Sequence, residues 1–115
     1  MEPDPALPQC VFLLPLVRDG DRELHPPILW RSLQDALVRR FGGTTGPETV
    51  VRRRHRKPVP GARRYTVALP PERIDALRDL LRKVGNSFDQ RAMELEVAGS
   101  AEILHVQPGD GFLEV

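Results

Sequence analysis

Seven lysines and arginines fall between Arg52 and Arg64 with no aspartate or glutamate among them. The run reads Arg52-Arg53-Arg54-His55-Arg56-Lys57, then Pro58-Val59-Pro60-Gly61-Ala62, then Arg63-Arg64-Tyr65. Cations at this density can neutralise phosphates and release condensed counterions, which drives binding without regard to base sequence. His55 and Tyr65 add rings on which bases could stack. The same residues have a plainer use, because a charged edge strand resists pairing with other chains. The balance is +7 on this stretch and −6 elsewhere, so the formal net charge of +1 conceals a polarised chain.

Other residues offer less. Asp19, Asp21 and Glu23 follow the first apolar run, where one or two carboxylates with water and a substrate phosphate would suffice for Mg²⁺. Acids beside an Asp-Gly turn are also ordinary turn residues, so no metal site is assigned. His25, His55 and His105 are far apart and accompanied only by Cys10, which does not make a zinc set. Gly42-Gly43-Thr44-Thr45-Gly46 has the glycines of a phosphate loop but follows a helix instead of opening one, so a helix cap and turn is expected. Ser32, Ser87, Ser100 and Cys10 have no neighbouring base in a recognisable motif. No catalytic constellation emerges, and no cofactor is implied.

With 115 residues, the chain suits one domain with a single core. The 40% apolar and 29% charged content is that of a globular protein. The longest apolar run, Val11 to Val17, is interrupted by Pro15 and too short to span a bilayer. A lone cysteine excludes an internal disulfide and suits a reducing compartment. A cytoplasmic protein is expected, with a mobile Pro-rich leader over residues 1–9, a domain over 10–107 and a loose tail over 108–115.

The elements that must position the basic stretch follow from periodicity. Cys10–Val17 is apolar on both faces and predicts a central strand covered on both sides. Pro27 opens a helix in which Trp30, Leu33, Leu37 and Phe41 share a face, and Gly42-Gly43 closes it. Thr44–Lys57 predicts a second strand. Beyond Val51 neither of its faces stays apolar, so it belongs at an edge or projects past the sheet as one arm of a hairpin. Pro58-Val59-Pro60-Gly61 is expected to make the turn, and Arg63–Leu69 to return. Pro70-Pro71-Glu72 opens a second helix with Ile74, Leu77, Leu81, Val84 and Phe88 inward, broken or capped at Gly85-Asn86. Ala92–Ala98 alternates as a strand, and Ile103–Val106 suits a short fifth strand or a strap.

Right-handed crossovers turn this β-α-β-β-α-β order into a ferredoxin-like α+β sandwich, a four-stranded antiparallel sheet with two helices on one face. The first and third strands are then central and the second is an edge. Phe41-Gly42-Gly43-x-Thr45, Phe88-x-Gln90-x-Ala92 and Leu95-x-Val97 together resemble a group of short bacterial proteins over residues 10–105. That group often shows a Gly-x-Trp-like segment in its second strand, where this chain has Val50-Val51-Arg52. The resemblance implies a ferredoxin-like fold and no assigned activity.

The expectation is a small non-enzymatic interaction or regulatory module. Its partner is a second copy or another protein, with no membrane. Dimerisation is expected because one set on the first strand, Val11 and Leu13 or Phe12 and Leu14, needs cover from Ile103–Val106 or from another subunit. The alternative is a nucleic-acid-binding accessory protein using Arg52, Arg53, Arg54, His55, Arg56, Lys57, Arg63 and Arg64. A metal-dependent nuclease built on Asp19 and Asp21 is the enzymatic alternative.

Overall fold

The computed structural model describes residues 7–18, 23–54 and 57–114, and of residues 52–54 and 57–60 the backbone only. It is an α+β fold: strand β1 (Gln9–Pro15), helix α1 (Pro27–Phe41), β2 (Thr45–Arg54), β3 (Lys57–Ala68), α2 (Ile74–Ser87), β4 (Ala92–Val97) and β5 (Ser100–His105). The strands form one open sheet in the order β2-β3-β1-β4-β5, with every neighbouring pair antiparallel. Beside the four strands of the expected sheet, the segment expected as a short fifth strand or strap at Ile103–Val106 is a full edge strand, Ser100–His105. As expected, β1 and β3 are interior and β2 is an edge.

Alternation on β1 sends Cys10, Phe12 and Leu14 into the core and leaves Val11 and Leu13 half-buried on the opposite face. Their cross-strand neighbours follow suit. Phe12 lies between Tyr65 and Leu95, and Cys10 between Val67 and Val97. Phe12 and Tyr65 stack with ring centroids 5.2 Å apart, a cross-strand aromatic pair that fixes register. Leu33 and Leu37 of α1 and Leu77, Leu80, Leu81 and Val84 of α2 join the same core as these strand residues. Both helices thus cover one face of the sheet. Within the chain β1 is covered by helices on one side only: β5 extends the sheet sideways instead of strapping across its open face.

The helix ends behave as the sequence implies, with one exception. Gly42 adopts the left-handed conformation (φ 78°), and the N–H groups of Gly42 and Gly43 donate to Val38 O and Leu37 O, which satisfies carbonyls the helix leaves open. Gly85-Asn86 does not stop α2, which runs on to Ser87. Gly85 is there for space: a Cβ would collide with Val106 and sit 3.2 Å from both Gln90 O and Met93. After β4 the chain turns through Ala98 (φ 49°) and Gly99 (φ 88°), the two positive φ values of a tight hairpin turn.

The segment after β5, expected to be loose, packs on α2. Asn86 donates to Gln107 O and Gly111 O, Leu113 N–H donates to Ser87 Oγ at 2.8 Å, and Leu113 is buried. No helix among the described residues is long and apolar enough to cross a membrane.

Candidate functional site

The ladder between β1 and β3 ends at Pro15 opposite Ala62, with one further bond from Leu16 N–H to Gly61 O. Beyond it β2 and β3 continue without a third strand among the described residues, through Val51↔Pro60, Arg52↔Val59, Arg53↔Pro58 and Arg54↔Lys57. At about 3.4 Å per residue this two-stranded arm reaches about 10 Å past the sheet. The chain reverses between Arg54 and Lys57, not at Pro58-Val59-Pro60-Gly61 as expected. Those four residues belong to β3 itself. Prolines are tolerated there because β3 has lost β1 on its other side, and a strand with a free edge can spare a donor. Val50↔Ala62 passes to Val51↔Pro60 with a register shift that leaves Gly61 unpaired, and such bulges bend and twist a ribbon where it leaves a sheet.

The eight candidate residues divide by position. Arg52, Arg53, Arg54 and Lys57 are on the arm, with their backbones alone described; His55 and Arg56 fall outside the described residues. Arg63 and Arg64 are at the root, and both have partners within the fold. Arg63 lies over the Trp30 ring at 4.3 Å from its centroid, a cation–π contact on the helix side of the sheet. Arg64, on the open face, is 3.7 Å from Glu48 across the strand pair. Tyr65 is not available for stacking on a base, since only 1% of it is exposed and its ring is against Phe12. Burial pushes the Tyr65 phenol above its ordinary pKa, while its hydrogen bond with Arg63 pulls the other way.

The root of the arm is held by aromatic packing. His25 is buried, and its Nε2 donates to Pro15 O at 3.0 Å, which fastens the end of β1 to the start of α1. Its ring meets Phe88 and Trp30 edge-on at 4.8 and 5.7 Å, and Trp30 meets Phe88 at 4.9 Å. His25 thus serves as a core histidine, and Arg63 extends the cluster from Trp30 to β3. A shallow cleft between Asn86, Gln90, Arg91 and Pro108 opens at the same end of the sheet, on the β4 side. Gln90 beneath it is buried and spends its amide on Phe88 O (3.0 Å) and Val17 O (3.4 Å), so its donors serve the fold.

At the other end of the sheet is a second cationic cluster. Arg73 donates to Arg40 O and lies over Phe41, and Arg39 approaches Glu114 at 3.8 Å. These cations surround the C-terminus of α1, where positive charge complements the helix dipole. The sequence hints at them only through Arg39 and Arg40. Arg73 comes from a distant turn.

Asp19 and Asp21 lie outside the described residues, and Glu23 is exposed. Among the described residues no three His, Cys, Asp or Glu come together in a way that could hold a metal ion. Comparisons with protein-family models, with curated proteins and with solved structures found no match for this chain.

Proposed function

We propose that the chain is a small cytoplasmic binding module, without chemistry of its own, that grips the phosphate backbone of a nucleic acid with the β2–β3 arm. The scaffold in this reading is a ferredoxin-like sandwich, β2-β3-β1-β4 with both helices on one face, to which β5 has been added. The observation that carries the reading is the four-pair ladder from Val51↔Pro60 to Arg54↔Lys57, which no third strand supports among the described residues. A two-stranded ribbon is marginal by itself in water, and this one has no alternating apolar face to bury. Five of the seven clustered cations, Arg52, Arg53, Arg54, Arg56 and Lys57, belong to the ribbon and its connection, and no acid occurs between Glu48 and Glu72. A charge pattern that contributes so little to folding suits an anionic partner. Arg63 and Arg64, engaged by Trp30 and Glu48, orient the root.

The test is binding of labelled duplex and single-stranded DNA and RNA across a salt series. The wild type should bind all four with a log K that falls linearly with log salt. The triple variant R52Q/R54Q/R56Q should bind more weakly to each, with a slope smaller by about 0.9 for every duplex phosphate it no longer neutralises. No binding by the wild type at low salt would leave the arm a solvated, aggregation-resistant edge.

A second reading, self-association, is favoured by a different observation. Val11 and Leu13 are on a sheet face that neither helix covers, although Glu94, Glu96, Arg64 and Glu48 surround them there.

A further inference from the structure

We infer that two copies of this chain join along the outer edge of β5, giving one continuous sheet across a two-fold axis at Ile103. The inference does not rest on the nucleic-acid reading. A two-residue turn at Ala98-Gly99 makes Val97↔Ser100 a bonded pair, and bonded pairs recur at every second position, here Leu95↔Glu102 and Met93↔Leu104. The next pair in phase is indeed bonded, Val106 N–H donating to Arg91 O at 2.9 Å. The N–H and C=O groups of Ala101, Ile103 and His105 therefore point away from β4, and among the described residues no strand lies on that side.

This edge is lightly guarded. Ser100-Ala101-Glu102-Ile103-Leu104-His105 pairs with β4 without a register shift and contains no proline, lysine or arginine. Ile103 is 54% exposed. Its one charge, Glu102, is turned inward and held by Arg78 Nε at 2.7 Å. That inward charge is neutralised by its partner, and an edge without proline, bulge or lysine is a template for a further strand.

The occupant is specified by self-complementarity on two elements at once. Antiparallel pairing of β5 with its own copy about Ile103 sets Ile103 against Ile103, Ala101 against His105 and Glu102 against Leu104. All outward groups are used, in about six main-chain hydrogen bonds, apolar meets apolar at the centre, and no like charges oppose. Helix α2 touches both β4 and β5, and the Arg78–Glu102 bond places its middle beside the same axis. With strands about 4.8 Å apart, a helix seated over the β4–β5 pair comes to about 10 Å from its copy, a normal packing distance. Running antiparallel, the two helices would align Asp75 with Arg82 and Arg78 with Asp79. The sequence Asp75-Ala-Leu-Arg78-Asp79-Leu-Leu-Arg82 is a palindrome with inverted charge, and Asp75, Asp79 and Arg82 keep exposed surface. A heterologous peptide would have no reason to match that pattern; a second copy does.

Sedimentation or light scattering over a concentration series tests the edge. The wild type should run at twice the 13.0 kDa chain mass. I103P, which removes an outward N–H while sparing the bonds to β4, and I103K, which opposes two lysines, should both be folded monomers by circular dichroism. R82D should weaken the dimer by about tenfold, because symmetry counts each reversal twice. The double swap D75R/R82D should restore it. A wild type that is monomeric at its highest soluble concentration overturns the inference. So does a dimer that survives I103K and I103P but dissociates with V11E, which would move the contact to the open face. If I103P fails to fold, I103K and the charge swap decide the matter. Nucleic-acid binding by a monomeric I103K would separate this proposal from the function of the arm.

Discussion

The two edges of the sheet are built on opposite plans. The β2 edge is interrupted by register shifts, carries prolines on its partner strand and ends in a ribbon loaded with arginine. The β5 edge is short, regular and nearly uncharged, and its inward residues are tied to the core through Leu104 and to α2 through the Arg78–Glu102 pair. Charge and proline keep a strand from pairing with another strand, and they do not keep it from an anion. A regular edge with outward donors does the reverse. On the readings proposed above, the difference between the two edges is one of partner chemistry. The arm contributes reach without stability, and β5 contributes stability as well as an open ladder.

Breaking β5's link to the core should give the largest effect. Leu104 is buried opposite Met93, so Leu104→Ala should lower unfolding free energy by about 2–4 kcal/mol, as truncation of a buried leucine does. Urea titration measures this, with an unchanged m-value as the sign that the fold is otherwise intact.

Gly85→Ala should come next. Alanine gains about 1 kcal/mol in helix propensity. The added methyl meets Val106, Gln90 O and Met93, and overpacking of that kind costs about 1–3 kcal/mol. A net loss is expected, together with altered amide exchange at Val106 and His105, where β5 leaves the sheet. A gain in stability would mean that the end of β5 yields freely, which contradicts the account of a well-anchored edge.

What could be read from the sequence follows the same division. Leu33, Leu37, Leu77, Leu81 and Val84 fall at helical spacing, and their burial is what period and polarity require. The cationic arm was visible because a strand polar on both faces cannot be half-buried. Its turn was not, since Pro-Val-Pro-Gly carries the residues of a turn and only the loss of β1 as a neighbour makes room for those prolines in a strand. The first half of β5 was hidden by Ala98, a residue that seldom takes positive φ and so gives no turn signal. Gly85-Asn86 suggested a helix end because nothing local reveals Val106 packing against that glycine. Tyr65 looked like a stacking surface beside arginines, yet its alternation with Val67 and Leu69 already placed it inward.

The interior between the edges should dominate the response to alkali. Cys10 is fully buried on β1, and burial is the main influence raising its thiol pKa; Tyr65 is raised for the same reason. Both groups ionise more readily in the unfolded chain. The stability each contributes is complete below its unfolded pKa, about 8.5 for cysteine and 10 for tyrosine, and is lost as pH rises through the higher folded value. Denaturation midpoints should therefore decline above that range. Cys10→Ala should flatten the earlier part of the decline, and a midpoint that rises with pH would contradict the assignment.

The smallest change in stability should come from the most drastic edit. Replacing Arg52–Val59 by Asn-Gly, which joins Val51 to Pro60 through a tight turn, removes every pair of the arm beyond Val51↔Pro60 and none of the β1–β3 ladder. Among the described residues the deleted backbone pairs with no third strand. Surface changes of this sort fall within about 0.5 kcal/mol, and shortening the connection reduces loop-closure entropy slightly in the favourable direction. The thermal midpoint should hold, and with it any β5-mediated dimer, while nucleic-acid binding and its salt dependence disappear. A large fall in the midpoint would show that the ribbon braces the Trp30–Arg63 root and is part of the fold. Retained binding would instead transfer the anion site to Arg39, Arg40 and Arg73 at the opposite end of the sheet, the other place where arginines converge.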